Sequence, residues 1–201
     1  MDSINPLALE KISYGVFILT SKDGDEDFGC IVNTVCQVTF NPLRFSVTVN
    51  KKNKTHDAIL KTKKLAASIF TKDVPFSIIE KFGFKSGQGK FTGVNDIKRT
   101  SAGLAYLNKH SNAVIEGEVL STLDCGTHTI FVAELTQSIL LNDSTSLTYS
   151  HYHEHIKPKA NVSKKNGYVC KVCGYIYEGE PLPNGFICPI CKRSSEVFEK
   201  L

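Results

Sequence analysis

Four cysteines near the C-terminus constrain this chain more than any other feature. Cys170-Lys-Val-Cys173 and Cys188-Pro-Ile-Cys191 are two Cys-x-x-Cys pairs, with residues 174 to 187 between them. Each pair can turn two sulfurs onto one ion. Together they supply four thiolates, the donor set of a closed tetrahedral site for iron or Zn²⁺. Gly174 follows the first pair, where such a turn often needs a positive φ, and Pro189 lies inside the second. The tail from Tyr168 to Leu201 is too short to fold on apolar burial alone. Domains below about 40 residues need a metal or disulfides, so metal binding is expected to be part of its folding energy.

The rest of the composition narrows the class. The chain has 201 residues, 41% hydrophobic and 22% charged, with a net charge of +4. That charge is modest and fits a solvated surface rather than nucleic-acid binding. No apolar run approaches the length of a membrane span. The N-terminal Met-Asp-Ser-Ile-Asn-Pro has no basic segment followed by an apolar one, so no signal peptide is expected. Seven cysteines, four of them in metal spacing, suggest a reduced cytoplasmic protein rather than a disulfide framework.

Before the tail the pattern is mostly strand. Short helices are expected over 3–12, capped by Ser3 or Asn5, over 57–63, capped by Thr55, and over 75–82 behind Pro75. Strands are expected over 14–20, 28–32, 35–40, 44–50, 65–71, 113–121, 127–140 and 147–152. A polar turn lies at 22–27, and a long glycine-rich loop runs over 83–101. In the strand over 113–121, Glu116 and Glu118 would share one solvated face. The fold class is therefore mainly β, an antiparallel barrel with short covering helices, plus the small metal-knuckle tail. Residues 1–152 form the barrel domain, 153–167 a Lys-, Pro- and Asn-containing linker, and 168–201 the four-cysteine domain.

Three stretches of the barrel carry chemistry. Asn33-Thr34-Val-Cys-Gln37-Val-Thr39 alternates hydrogen-bonding side chains along a strand. Asn50-Lys51-Lys-Asn-Lys54-Thr55-His56 places cations and hydroxyls just ahead of a helix N-terminus, a sound site for a phosphate. Phe84-Lys-Ser86-Gly87-Gln-Gly89 allows close backbone approach. His128 follows Gly126-Thr127 in a strand; by its chemistry alone it reads as a hydrogen-bonded structural histidine. His151, His153 and His155 alternate and would share a strand face, where a strand-end cluster is expected in preference to a second metal site. Cys30, Cys36 and Cys125 lack metal spacing and are expected to act as small buried hydrophobes.

The ordered set of Asn-Thr-x-x-Gln-Val-Thr, Asn-Lys-x-x-x-Thr-His, Phe-Gly-Phe-x-Ser-Gly, Gly126-Thr-His128 and Leu147-Thr-Tyr-Ser-His-Tyr152 resembles the flavin reductase-like family of FMN-binding split barrels. The resemblance implies a homodimer. It also implies FMN, with Asn33, Thr34, Gln37 and Thr39 along the isoalloxazine. Asn50, Lys51, Lys54, Thr55 and His56 would hold the ribityl phosphate, Ser86 and Gly87 would lie in the third cofactor loop, and His128 would meet flavin or nicotinamide. The sequence departs from the family pattern at Gln88, where an arginine is expected.

The tail resembles rubredoxins, with Tyr175 and Tyr177 behind the first pair. The short interval between the pairs, and a Val197-Phe198-Glu199 close, are more similar to the abbreviated rubredoxin-like domain of rubrerythrins. That resemblance implies one iron on Cys170, Cys173, Cys188 and Cys191.

Joined, the two halves are similar to high-molecular-weight rubredoxins. This implies that electrons pass from NADH or NADPH through FMN to the iron and on to a protein acceptor of the flavodiiron or rubrerythrin type. The alternative is a flavin reductase, or a binding module without catalysis, whose tail is a structural zinc ribbon.

Overall fold

A computed structural model of the chain describes residues 6–84, 89–158, 167–172, 174–189 and 193–201. Ser86, Gly87, Cys173 and Cys191 lie outside the described residues, as do the N-terminal caps expected at Ser3 and Asn5. The chain divides into two compact units, Met1–Ile156 and Lys157–Leu201.

The first unit begins with a hairpin, β1 (Phe17–Asp23) and β2 (Glu26–Val32), turning at Gly24 and Asp25. It continues through β3 (Cys36–Thr39), β4 (Arg44–Asn50), α1 (Lys54–Thr62), β5 (Lys64–Phe70) and α2 (Phe76–Gly83). Then come β6 (Ile97–Arg99), β7 (Ala105–Leu107), β8 (Ser111–Asp124) and β9 (His128–Leu140). Seven strands form one sheet in the order β2-β1-β5-β8-β9-β4-β3, every pair antiparallel.

Strand β1 lies between two cores, which is why its start is almost continuously apolar. Phe17 and Leu19 face the barrel interior with Val47, Val49, Ile59, Leu65 and Phe131. Ile18 faces the other way, onto Phe70, Ile79, Phe82 and Leu147. Leu19 and Ile18 are fully buried, each contributing about 1.5–3 kcal/mol of transfer free energy. The segment between β2 and β3 is tied to β4 by a side chain. Thr34 Oγ1 donates to Thr48 O at 3.1 Å and accepts from Thr48 N at 3.2 Å.

The expected mainly antiparallel β architecture is therefore what the chain adopts, and several local expectations are corrected. Helix α1 starts earlier than expected and is capped by Asn53, whose side chain accepts from the N–H of Thr55; Thr55 is not the cap. The long loop is partly ordered by a β6–β7 hairpin that has no clear strand period in the sequence. Lys90 Nζ anchors the described part of that loop by donating to Gly29 O and Phe82 O at 3.1 and 3.0 Å.

Glu116 is not solvated. It is 3% exposed and accepts from Ser101 Oγ, Ala102 N and Thr136 Oγ1, whereas Glu118 is exposed. Burial raises the Glu116 pKa, but these hydrogen bonds and one from Thr100 outweigh it and bring the carboxyl below its usual range.

The expected last strand is helical instead. Thr148 makes a single bridge to Gly15, then caps a turn of helix (Tyr149–His151) that continues as a π-helical turn (Tyr152–Ile156). Tyr152 is buried against the second core, which favours a helical repeat over an alternating one. Residues 153–156, expected to begin the linker, thus belong to this helical segment.

The second unit is a three-stranded sheet with β10 (Tyr168–Cys170) between β11 (Ile176–Tyr177) and β12 (Phe198–Lys200). Its core is small: Cys170, Cys188 and Val197, with Val172, Tyr175 and Phe198 packed around them.

Candidate functional site

The barrel carries a cleft of about 440 Å³. Ile31 and Val32 from β2, Thr48, Val49 and Asn50 from β4, and Asn33 and Thr34 between them form one side. Asn53 at the start of α1, and Cys125 and His128 at the β8–β9 turn, form the rest, with Cys30 beneath. Apolar walls with a few convergent amides, a hydroxyl and an imidazole suit a planar heterocycle with a polar tail. The register explains why residues distant in sequence meet here. Asn50 stands directly across the β4–β9 ladder from His128, and Lys51 N donates to Thr127 O at 3.0 Å.

Of the expected site residues, the cleft gathers Asn33, Thr34, Asn50 and His128. Lys51 and Lys54 flank it on the β4–α1 segment. Lys51 Nζ pairs with Asp124 Oδ1 at 2.6 Å, and Lys54 Nζ lies 4.0 Å from Asp57. The remaining described candidates are placed elsewhere. Thr55 is buried. His56 is 5% exposed, with Nε2 at 2.9 Å from Thr129 Oγ1, Nδ1 at 3.1 Å from Asp57 and its ring edge on Phe131. Its Nε2 is thus engaged inside the protein and its Nδ1 with the exposed Asp57, and neither partner belongs to the cleft lining. Gln37 and Thr39 are exposed on the edge strand β3, where Gln37 Nε2 donates to Thr39 O and Thr39 Oγ1 to Pro42 O.

Two residues of the cleft were expected to be inert hydrophobes. Cys30 is buried, and burial pushes its thiol up to about 11 against lowering contacts from Thr55, Lys90 and Asn53. Cys125, like Cys36, is exposed, contrary to expectation. The usable signal for Cys125 was its place next to Gly126-Thr127-His128. Asn53 could have been found from its position two residues before Thr55, the spacing of an N-cap.

In the second unit the two described site cysteines, Cys170 and Cys188, are both fully buried and share one cluster. Cys170 sits in a tight turn in which Gly174, at φ 75°, donates its N–H to Cys170 O at 2.7 Å, and Cys188 N donates to Arg193 O at 2.8 Å. Buried thiols converging in a core of this size fit a thiolate-bound metal ion. Among the described residues no group of three or more His, Cys, Asp and Glu gathers; Cys173 and Cys191 lie outside them.

The sequence matches the flavin reductase like domain over residues 9–158 and the rubrerythrin, rubredoxin-like domain over residues 168–199. It is 34% identical to the high molecular weight rubredoxin of Moorella thermoacetica, across 96% of this chain and 98% of that one. It is 38% identical to the ferric-chelate reductase (NAD(P)H) of Archaeoglobus fulgidus, across 73% of this chain and 87% of that one. Among solved structures it is similar to the flavin reductase HpaC complexed with NADP⁺, with a TM-score of 0.62 and 26% identity over 71% of this chain and 88% of that one.

Proposed function

Since the chain belongs to the flavin reductase-like family and carries a rubredoxin-like domain behind it, we propose that it is an NAD(P)H-dependent flavin and iron oxidoreductase. It passes electrons from reduced nicotinamide by way of FMN to an iron held by Cys170, Cys173, Cys188 and Cys191, and on to a protein acceptor of the flavodiiron or rubrerythrin type. Flavin supplies the exchange between two-electron and one-electron chemistry, and a four-thiolate iron carries single electrons.

The chain's own residues bind and orient. Asn33, Thr34 and Asn50 would offer hydrogen bonds to the flavin, and Val49 and Ile31 would supply apolar contact. Lys51, just before α1, and Lys54, its first residue, would pair with a terminal phosphate, which favours FMN. His128, which lines the same cleft, would meet the flavin or the nicotinamide. The protein in this reading is a cytoplasmic homodimer. Val38, Phe40 and Leu43 around the β3–β4 turn and Leu120 and Leu123 near the end of β8 are exposed apolar side chains, a composition that suits burial against a second copy. Covering that edge would also bring Gln37 and Thr39 into a protected site. No helix among the described residues is long and apolar enough to cross a membrane.

The observation that carries the reading is the presence, in one chain, of the cleft in a flavin reductase-like barrel and the paired buried thiols of Cys170 and Cys188. The test is the visible spectrum and metal content of protein purified from its native source. Flavin bands together with a thiolate-to-iron absorption, both bleached by NADH or NADPH, are expected. Zinc without iron overturns the reading in favour of a structural ribbon. In Cys173→Ser, electron delivery to a protein acceptor should collapse while flavin reduction survives.

A further inference from the structure

In the sequence, His151, His153 and His155 read as one alternating strand face. The helical course of the chain separates them. His151 ends the turn Tyr149–His151, and His155 lies in the π-helical turn Tyr152–Ile156. The His151 and His155 rings stand with centroids 4.4 Å apart at 40°. His153 packs instead on Tyr149 and Tyr152, with centroids at 4.4 and 5.1 Å. Neither His151 nor His155 belongs to the cleft or to the four-cysteine unit.

We propose that His151 and His155 form a two-imidazole chelate for a first-row divalent transition metal ion of the Ni²⁺, Cu²⁺ or Zn²⁺ class. Imidazole nitrogen is a favoured donor for these ions. Two histidines four residues apart on one helical face are the spacing that turns both onto a single ion, and ring centroids 4.4 Å apart are close enough for one nitrogen of each ring to reach it. The pair is open to water, with the His155 side chain 60% exposed, so water completes the coordination. Glu154 Oε2 lies 3.5 Å from His155 Nε2 and adds a carboxylate that offsets the ion's charge. Lys72 acts on His151 in the opposite sense. Both charges are solvent-exposed and therefore weak. Two protein ligands make this site weaker than a four-ligand structural one. A bound ion pins the final helical turn of the first unit, which ends at Ile156, and stabilises that turn by mass action.

The experiment titrates Ni²⁺ into full-length protein whose four-cysteine site is already filled with iron. Heat of binding and the ring-proton NMR signals are followed. Ni²⁺ is preferred to Cu²⁺ because the exposed thiols Cys36 and Cys125 would reduce copper. One Ni²⁺ beyond the iron should bind. Its affinity should fall roughly tenfold or more in both His151→Gln and His155→Gln and be kept in His153→Gln. In the wild-type protein the His151 and His155 ring signals should broaden first, a readout that needs no variant. Binding that survives both substitutions, binding lost in only one of them, or thiolate-to-nickel absorption without broadening of these two rings each overturns the proposal.

Discussion

Lys51 Nζ lies 2.6 Å from Asp124 Oδ1, and the same carboxylate oxygen accepts a hydrogen bond from the N–H of Gly126 at 2.8 Å. The contact ties the segment leading into α1 to the β8–β9 turn that carries Cys125 and His128, the two banks of the cleft. The ammonium of Lys51, and then the Gly126 N–H, hold the Asp124 carboxyl below its usual range. At neutral pH Asp124 is therefore ionised, and it offsets part of the charge that Lys51 would present to a phosphate.

This sets an expectation for flavin affinity. Lys51→Gln should weaken FMN binding and leave riboflavin, which lacks the phosphate, unchanged. Asp124→Asn should tighten FMN by roughly two- to fivefold at low ionic strength, the scale of an exposed ion pair, with the gain fading as salt screens it. Fluorescence titration of both flavins checks this. An equal loss of riboflavin in Lys51→Gln would remove Lys51 from the phosphate role.

The thiols give a second expectation. Among the cysteines of the barrel, Cys36 and Cys125 are exposed, and Cys30 is buried with its thiol pushed up to about 11. Iodoacetamide at pH 8 should alkylate Cys36 and Cys125 and spare Cys30. Saturating flavin should slow the reaction at Cys125, which lines the cleft, without affecting Cys36. Peptide mass spectrometry reads all three sites at once. Equal protection of Cys36 and Cys125 would contradict the placement.

Cys30 also makes stability depend on alkaline pH. Its folded pKa of about 11 lies above the ordinary value of 9.0 because burial disfavours the thiolate. The unfolded chain ionises first as pH rises, so the contribution is complete below about pH 9 and lost as pH climbs through 11. Two pH units correspond to at most roughly 2–3 kcal/mol. Urea unfolding at pH 8 and pH 10.5 should therefore show a smaller alkaline loss in Cys30→Ala than in the wild type. Identical losses in the two proteins would show that Cys30 is solvated.

Gly117 tests the packing of the barrel. It lies in β8 opposite Leu65 and Leu135, and a Cβ there would stand 2.7 Å from Phe45 Cε1 and 2.8 Å from Glu134 O. One of these atoms is backbone and cannot swing away. Gly117→Ala should cost about 1–3 kcal/mol as an overpacked core position, measured by chemical unfolding. A neutral effect would show that β8 shifts freely against β4.

The strands and the rubredoxin-like tail were legible because their signals are local. Phe17 to Val32 sets two runs of strand-forming residues on either side of Gly24 and Asp25, and a hairpin follows from those runs and the turn chemistry. The Cys-x-x-Cys pairs carry their ligand geometry within four residues each. The errors have a common origin in long-range packing. Leu147 to Tyr152 has strand-forming residues, yet the burial of Tyr152 beside Ile18 and Phe82 draws that segment into a helix. Glu116 and Glu118 look alike in the pattern, but a bulge in the β8–β9 pairing follows Glu116, and only Glu116 meets the donors of residues 101, 102 and 136.

Thus the sequence alone determined that a mainly antiparallel β unit precedes a small rubredoxin-like tail, because turn residues, strand period and cysteine spacing act over a few residues. Which polar side chains share the cleft was decided only by the tertiary structure. His56 and Asn50 belong to the same short segment, yet His56 turns inward to Thr129 while Asn50 stands at the cleft across from His128. That choice depends on the register of β4 against β9, which is set by burying Val47, Val49 and Phe131 in one core, a relation between strands far apart in the chain that no local pattern records.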